Sequence, residues 1–232
     1  GEMQMSYGEG SEHNQPLDAR GCGADHTGCC SIENGCPGRR SRNNASLEEL
    51  AEEFTRTCMQ GEELVSSSFR EKDLLDVIRL AASGFWEHPI LGNKKHPHQW
   101  RIVNRTAEEA GEALVELAYE IENADTFERL LAIVRRVQRP TENTGLGDLW
   151  SYDTAQRIWQ RTGGGVAIDR VYLHCGVIDG FNAVCRRANV TIERHRDMSG
   201  ARYANCRDFP EPLNRFPGEH LESFLCTFKD RI

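Results

Sequence analysis

The sequence lacks any apolar run close to the roughly 20 residues that a transmembrane helix requires, so no membrane partner is expected. It also lacks an excess of positive charge: 28 lysines and arginines stand against 36 aspartates and glutamates, giving a formal net charge of −8. Duplex-binding proteins usually present a basic face, so this balance argues against strong non-specific DNA binding while leaving room for a local basic groove. The polar, glycine-rich N-terminal stretch has no apolar secretory core. We therefore expect a cytoplasmic or nuclear protein, not a secreted one.

Residues 1–44 have almost no large apolar side chains, Leu17 and Ile32 being the exceptions. Such a segment cannot bury enough surface to order itself, and we predict that it is flexible or disordered. Its four cysteines are spaced C-x6-C-C-x5-C. Structural zinc sites usually have more closely spaced pairs, so a disulfide-prone tail is favoured over a zinc site. The residues that would form such a zinc site are Cys22, His26, Cys29 and Cys36.

From Ser46 onward, apolar residues recur at helical spacing, and several helix starts carry capping signatures. These signatures are Ser46–Glu49, Ser68–Glu71, Thr106–Glu109 and Asp125–Glu128. No alternating apolar pattern is long enough to predict a strand of useful length. The sequence therefore predicts an all-α fold, with one helical domain over residues 45–232.

A glycine pair marks the junction between two of the predicted helices. Gly145-Leu146-Gly147 follows a helical pattern that Pro140 ends, and a new pattern starts at Asp148. Glycines permit a tight, positive-φ turn, and the first amides of the next helix have no partner within that helix. With the positive end of the helix dipole behind them, such amides can hold a phosphate. This arrangement is typical of a helix-hairpin-helix, here at about residues 127–162, and it predicts binding to a nucleic-acid backbone.

The residues that follow the glycines extend the pattern. Thr154-Ala155 and then Val166-Ala167-Ile168-Asp169 come in order, and about residues 127–187 resemble the helix-hairpin-helix region of DNA glycosylases and related DNA-binding proteins. In that family a Gly-x-Gly turn leads into a helix carrying Thr-Ala, and a catalytic aspartate follows. The resemblance implies DNA as the partner and a base-excision glycosylase as the enzyme alternative. Asp153 stands where lyase-type members carry a Schiff-base lysine, which favours a monofunctional hydrolase.

Asp169 is the candidate catalytic residue that the resemblance implies. Its carboxylate would activate a water molecule or stabilise the positive charge that develops on the sugar as the base leaves. The flipped base would need a pocket, for which Tyr152, Trp150 and Tyr172 are the candidates. The favoured structural interpretation is that Asp169 instead caps a helix beginning at Arg170.

Basic residues cluster at two further places. Residues 94–101 are predicted to form a loop that combines lysines, histidines and an arginine with Trp100, a composition that suits phosphate pairing and base stacking. The helix before the glycines ends in arginines. The predicted nucleic-acid contacts are Gly145, Leu146, Gly147, Asp148, Arg136, Arg139, Lys94, Lys95 and Arg101. The alternative is a solvated loop whose Trp100 packs on the core.

His174 lies in a segment whose apolar spacing, from Val171 to Phe181, predicts a further helix. Adjacent residues on a helix point about 100° apart, so His174 and Cys175 do not form a ready catalytic pair. We expect His174 to be a core residue with one hydrogen bond.

Three functions stay open at this point. The first is nucleic-acid binding through the glycine turn, the second is a monofunctional glycosylase that uses Asp169, and the third is a structural or protein-interaction helical module. The sequence does not identify a protein partner. We expect no cofactor, with zinc in residues 1–44 and a monovalent cation at the hairpin as the alternatives.

Overall fold

The computed structural model describes residues 45–96, 99, 102–138 and 146–232. Over these residues the chain is predominantly helical, and small antiparallel sheets lie among the helices. The helices are α1 (Leu47–Thr57), α2 (Met59–Arg70), α3 (Leu74–Ser83), α4 (Asn104–Val115), α5 (Ala118–Glu122), α6 (Phe127–Val137), α7 (Asp148–Thr162), α8 (Val177–Ala188) and α9 (Gly218–Phe228). The strands are β1 (Phe85–His88), β2 (Gly92–Lys95), β3 (Arg170–Tyr172), β4 (His195–Arg196) and β5 (Arg202–Asn205). Within the described ranges, no helix has the length and apolar character needed to cross a membrane.

The sheets correct the all-α prediction. β1 and β2 form a hairpin in which Phe85 lies opposite Lys95 and His88 opposite Gly92. β5 lies between β3 and β4 and is antiparallel to both. These strands have two to four residues each, too few to produce a recognisable alternating pattern in the sequence. Lys94 and Lys95 therefore lie in a strand and not in the predicted loop.

The segment after α7 also differs from the prediction. β3 replaces the first part of the helix expected from Val171 onward, and α8 begins only at Val177. Gly176 separates the two elements with φ at 89°, a left-handed value that L-residues rarely adopt. Valine and tyrosine fit a pleated, half-buried surface well, which explains why this short stretch forms a strand.

The capping signatures have mixed outcomes. At Ser46 the capping box is confirmed: Glu49 N donates to Ser46 Oγ at 3.2 Å, and Ser46 N donates to Glu49 Oε2 at 2.7 Å. The helix start predicted at Ser68 is wrong, because α2 continues through this residue to Arg70. The next helix is capped by Asp73, whose side chain accepts from Leu75 N at 2.9 Å.

Two hydrophobic clusters fill the interior of the described domain. The α7 cluster, built mainly from α2 to α7, includes Phe69, Leu114, Leu130, Trp150 and Ile158. The α9 cluster, built mainly from α1, α8 and α9, includes Phe54, Phe181, Phe224, Leu225 and Phe228. β3 contributes to both, because Tyr172 belongs to the α7 cluster and Val171 to the α9 cluster.

Within the α9 cluster, α8 and α9 approach closely at Gly180. A Cβ atom at this position would lie 2.1 Å from the carbonyl oxygen of Leu225, well inside van der Waals contact. Any larger residue at Gly180 would therefore force the two helix backbones apart.

Candidate functional site

The predicted site begins at the junction between α6 and α7, which pack against each other. Thr126 is the N-cap of α6, which ends at Val137, and α7 starts at Asp148. The Ser151 hydroxyl donates to Gln138 Oε1 at 2.8 Å, which links the end of α6 to the first turn of α7. The predicted contacts Arg139 and Gly145 lie outside the described residues.

Gly147 is the N-cap of α7 and lies at the surface. Its φ of −89° and ψ of −170° are extended values, so the positive φ expected of the turn is not found at this glycine. A Cβ atom built on Gly147 would meet no atom of the described residues within 4 Å, apart from its chain neighbours. Leu146, by contrast, is buried in the α7 cluster. It anchors the chain just before the helix.

The first residues of α7 are accessible to solvent, whereas the following turn of the helix is buried. Residues 151–155 are all buried, whereas Gly147 and Asp148 are exposed. A glycine N-cap has no side chain with which to cap the first amides of the helix. The positive end of the α7 dipole therefore faces solvent at Gly147.

The arginines near this helix start are paired with carboxylates. Arg135 Nη2 lies 3.1 Å from Asp148 Oδ1, and Arg136 makes two bonds of 2.9 Å to the carboxylate of Glu120. The first pair places a carboxylate of the protein itself in the first turn of α7. An incoming phosphate would have to compete with Asp148 for Arg135.

The β1–β2 hairpin is joined to the same part of α7. Trp150, in the first turn of α7, donates from Nε1 to the Ala82 carbonyl oxygen at 2.9 Å, two residues before the glycine that precedes β1. Buried Gln99, which follows β2, donates to Asp153 Oδ2 at 3.4 Å. Lys95, at the end of β2, donates to Ile102 O at 2.9 Å and to Asn104 Oδ1 at 2.7 Å. Lys94 neighbours it in the strand. Arg101 lies outside the described residues.

Asp169 lies at the surface, and its side chain is 89% exposed. It precedes β3 and not a helix, so the interpretation of Asp169 as a helix cap is wrong. Its main-chain oxygen instead accepts a hydrogen bond from Cys206 N at 3.0 Å. The nearest cation is Arg170, whose Nε lies 3.7 Å from Asp169 Oδ1.

The aromatic residues suggested for a base pocket, Trp150, Tyr152 and Tyr172, are all buried. Burial raises the pKa of the Tyr152 phenol well above its usual value of 10, and the negative charges of Glu222 and Glu219 add to the shift. Tyr152 is therefore a neutral phenol inside the protein, while Asp169 faces water. The structure does not bring these two candidates into one open site.

A buried polar cluster that the sequence did not predict lies beside Tyr152. His174 Nδ1 lies 2.9 Å from the Cys175 carbonyl oxygen, and His174 Nε2 lies 3.0 Å from Glu222 Oε1. The side chains of His174 and Glu222 are only 3% and 5% exposed. The imidazole ring lies 5.3 Å from the Tyr152 ring, centroid to centroid. The prediction that His174 is a hydrogen-bonded core residue is confirmed, but its carboxylate partner was missed.

Burial and the neighbouring polar groups shift the pKa of His174 in opposite directions. Burial alone lowers the pKa of His174, but the contact with Glu222, its charge and the Cys175 carbonyl outweigh burial, so the net pKa is raised above 6.5. Nearby, Arg157 Nη2 lies 3.7 Å from Asp153 Oδ2, and both side chains are buried. Burial lowers the pKa of Arg157, with Asp153 opposing the shift.

Two signals in the sequence could have found this cluster. Asp153 and Arg157 stand four residues apart, the spacing of a salt bridge along a helix. Glu222 falls on the buried face of α9 together with Gly218 and Leu225, at separations of four and three residues. A carboxylate at such a position needs a partner, although the helical pattern alone does not name it.

A cleft of about 640 Å³ opens on another face, between α1 and the segment 211–216. Its floor includes the apolar groups of Ala51, Pro212 and Phe216, and Glu52 and Arg56 line it from α1. No set of three or more histidine, cysteine or acidic side chains in the described part of the chain is arranged to hold a metal ion. The predicted zinc residues Cys22, His26, Cys29 and Cys36 lie outside that part.

Comparisons of the chain with protein-family models, with curated proteins and with solved structures found no match.

Proposed function

We propose that this protein binds nucleic acid, with DNA favoured, through a helix-hairpin-helix at about residues 127–162, in which α6 and α7 are the two helices. The main support is the start of α7, where an exposed glycine N-cap lies one residue before Asp148, which pairs with Arg135. The ligand group is a backbone phosphate, held by the amides around Gly147 and Asp148.

The 15-residue α7 is the longest helix in the described ranges. Because most of it is buried, its backbone dipole is screened poorly along its length and reaches solvent at Gly147.

Arg135 supplies the cation that such a site needs. Its guanidinium is held at the helix start by Asp148, with the two side chains 24% and 60% exposed. Because surface ion pairs contribute little, about 0–1 kcal/mol, a phosphate can replace the Asp148 carboxylate at Arg135. We expect the affinity to be modest and strongly dependent on salt, since each phosphate contact releases counterions from the nucleic acid.

In this proposal the β2 lysines extend the binding surface. Lys94 and Lys95 lie opposite Trp86 and Phe85, at the end of the hairpin that adjoins the start of α7 through Ala82 and Trp150. Their charge would extend phosphate contacts beyond the single helix end, which a chain of net charge −8 requires.

The test uses fluorescence anisotropy with labelled single- and double-stranded oligonucleotides at several salt concentrations. Gly147→Asp places a good N-cap carboxylate in open space, so this variant should fold normally while its own side chain occupies the helix amides. We expect it to lose at least tenfold in affinity.

Gly147→Ala is the matched control, because it adds a Cβ atom without a charge or a capping oxygen. It should bind nearly as well as the wild type. Salt-insensitive binding, or equal binding by the aspartate and alanine variants, would contradict the proposal.

The cleft beside α1 favours a second candidate function, a protein-interaction module. An apolar floor with charged residues around it suits a protein segment. Thr55 lines the cleft and is exposed, so Thr55→Trp should fill it without disturbing the core. If this function holds, partners captured from nuclease-treated extract will be lost with Thr55→Trp and kept with Gly147→Asp.

A further inference from the structure

The buried pair of His174 and Glu222 lies where the two hydrophobic clusters meet. His174 follows Leu173 and Glu222 follows Leu221, both of which belong to the α9 cluster. On the other side, the imidazole contacts the ring of Tyr152, which belongs to the α7 cluster. At this point the polar side chains of His174 and Glu222 lie between residues of the two clusters.

Both ring nitrogens of His174 lie close to acceptor oxygens, although the Nε2–H does not point straight at Glu222 Oε1. Nδ1 lies 2.9 Å from a carbonyl oxygen and Nε2 lies 3.0 Å from a carboxyl oxygen. A neutral imidazole carries one N–H and can satisfy only one of two such acceptors. Satisfying both acceptors therefore requires one more proton than a neutral imidazole and a carboxylate carry between them.

The described side chains that interact electrostatically with His174 or with Tyr152 are carboxylates and a phenol. α7 presents the Tyr152 phenol and the Asp153 carboxylate, α9 presents Glu219 in addition to Glu222, and β3 presents the Tyr172 phenol. The buried Arg157 lies beside Asp153. Deprotonation of the ring would thus leave a carboxylate buried next to a neutral imidazole, a state that a low-dielectric interior disfavours.

We propose that the His174–Glu222 pair is a proton-controlled latch that holds α9 and the chain before α8 against α7. With the proton in place, Nδ1 donates to the Cys175 carbonyl oxygen, the charged ring pairs with the Glu222 carboxylate, and the two clusters stay joined. When the proton leaves, hydration of the Glu222 carboxylate becomes favourable, and α9 separates from α7.

The sign of the pH dependence follows from the raised pKa of His174. A group whose pKa is higher in the folded state stabilises that state fully below its unfolded value, about 6.5. This stabilisation is lost as the pH rises through the folded value. The latch therefore opens on the alkaline side.

Hydrogen exchange measured by mass spectrometry on the full chain tests the latch. After correction for the intrinsic pH dependence of exchange, protection of Leu221–Phe228 should fall at least tenfold between pH 6 and pH 9. In Glu222→Gln this fall should disappear, because the neutral amide does not need the second proton. His195→Gln changes a half-buried histidine near Glu193 and should keep the wild-type behaviour.

Histidine NMR on the wild-type protein gives a second measurement that does not depend on a variant folding. The His174 resonance should titrate above pH 6.5, together with the change in α9 protection. The proposal is overturned if His174 titrates at or below its ordinary value, or if α9 protection shows no pH dependence. These outcomes do not involve nucleic acid, so they are independent of the function proposed above.

Discussion

Two ion pairs in this molecule have nearly the same length but lie in opposite surroundings. Arg135 and Asp148 lie 3.1 Å apart at the surface, whereas His174 and Glu222 lie 3.0 Å apart in the interior. Water can replace either partner of the first pair, so that pair can exchange one anion for another at small cost. Water cannot reach the second pair unless packing opens. Burial, and not distance, separates a pair suited to ligand exchange from one that controls packing.

The largest effect should come from removing one partner of the buried pair. Glu222→Ala leaves His174 without its carboxylate, and we expect a loss of about 3–5 kcal/mol in the free energy of unfolding at pH 6. Urea denaturation measures this. The matched surface change, Asp148→Ala, should cost less than about 1 kcal/mol. Equal losses in the two variants would show that burial does not distinguish the pairs.

The next effect concerns binding and not stability. Arg135→Gln should weaken oligonucleotide binding by about fivefold, or about 1 kcal/mol, and reduce the salt dependence by about one counterion. Arg136→Gln should have a smaller effect, because both of its bonds to Glu120 would have to break before it could contact a phosphate. Anisotropy titrations at two salt concentrations compare them. A larger effect at Arg136 would show that Arg136, and not Arg135, is the main phosphate contact on α6.

A smaller effect, of opposite sign, is expected at Asp148. Asp148→Asn removes the carboxylate that competes for Arg135, so binding should tighten by about twofold to threefold. The same change removes a favourable charge from the first turn of α7 and should lower stability by about 0.3–1 kcal/mol. Weaker binding in this variant would mean that Asp148 does not compete with the ligand.

The smallest effect is expected at Asp169. Because its side chain is almost fully exposed, Asp169→Asn should change the free energy of unfolding by less than about 0.5 kcal/mol. We also expect no change in the release of free base from damaged DNA. Base release by the wild type that vanishes in Asp169→Asn would instead support the glycosylase alternative.

The sequence predicted the helical character of the domain because this information is local. The Ser46 capping box and the start of α7 after Gly147 depend on residues within one or two turns. The strands could not be predicted in the same way. β3 forms because β5, some 30 residues later, pairs with it, and three residues carry too little pattern to indicate this.

The same distinction between local and tertiary information applies to the candidate site. The start of α7 after Gly147 was predicted from a short motif, whereas the pairing of Arg135 with Asp148 depends on how α6 and α7 pack. His174 and Glu222 are 48 positions apart, and no periodicity connects them. Such pairs are set by tertiary structure, which single-sequence patterns do not contain.

The missing side chain at Gly180 has a mechanical consequence for any opening of the interior. α8 and α9 touch backbone to backbone there, which leaves no room for one to slide past the other. If α9 separates from α7 at high pH, α8 must travel with it as part of one rigid unit. A fluorescent probe attached to the exposed outer side of α8 would then report the motion without touching α9.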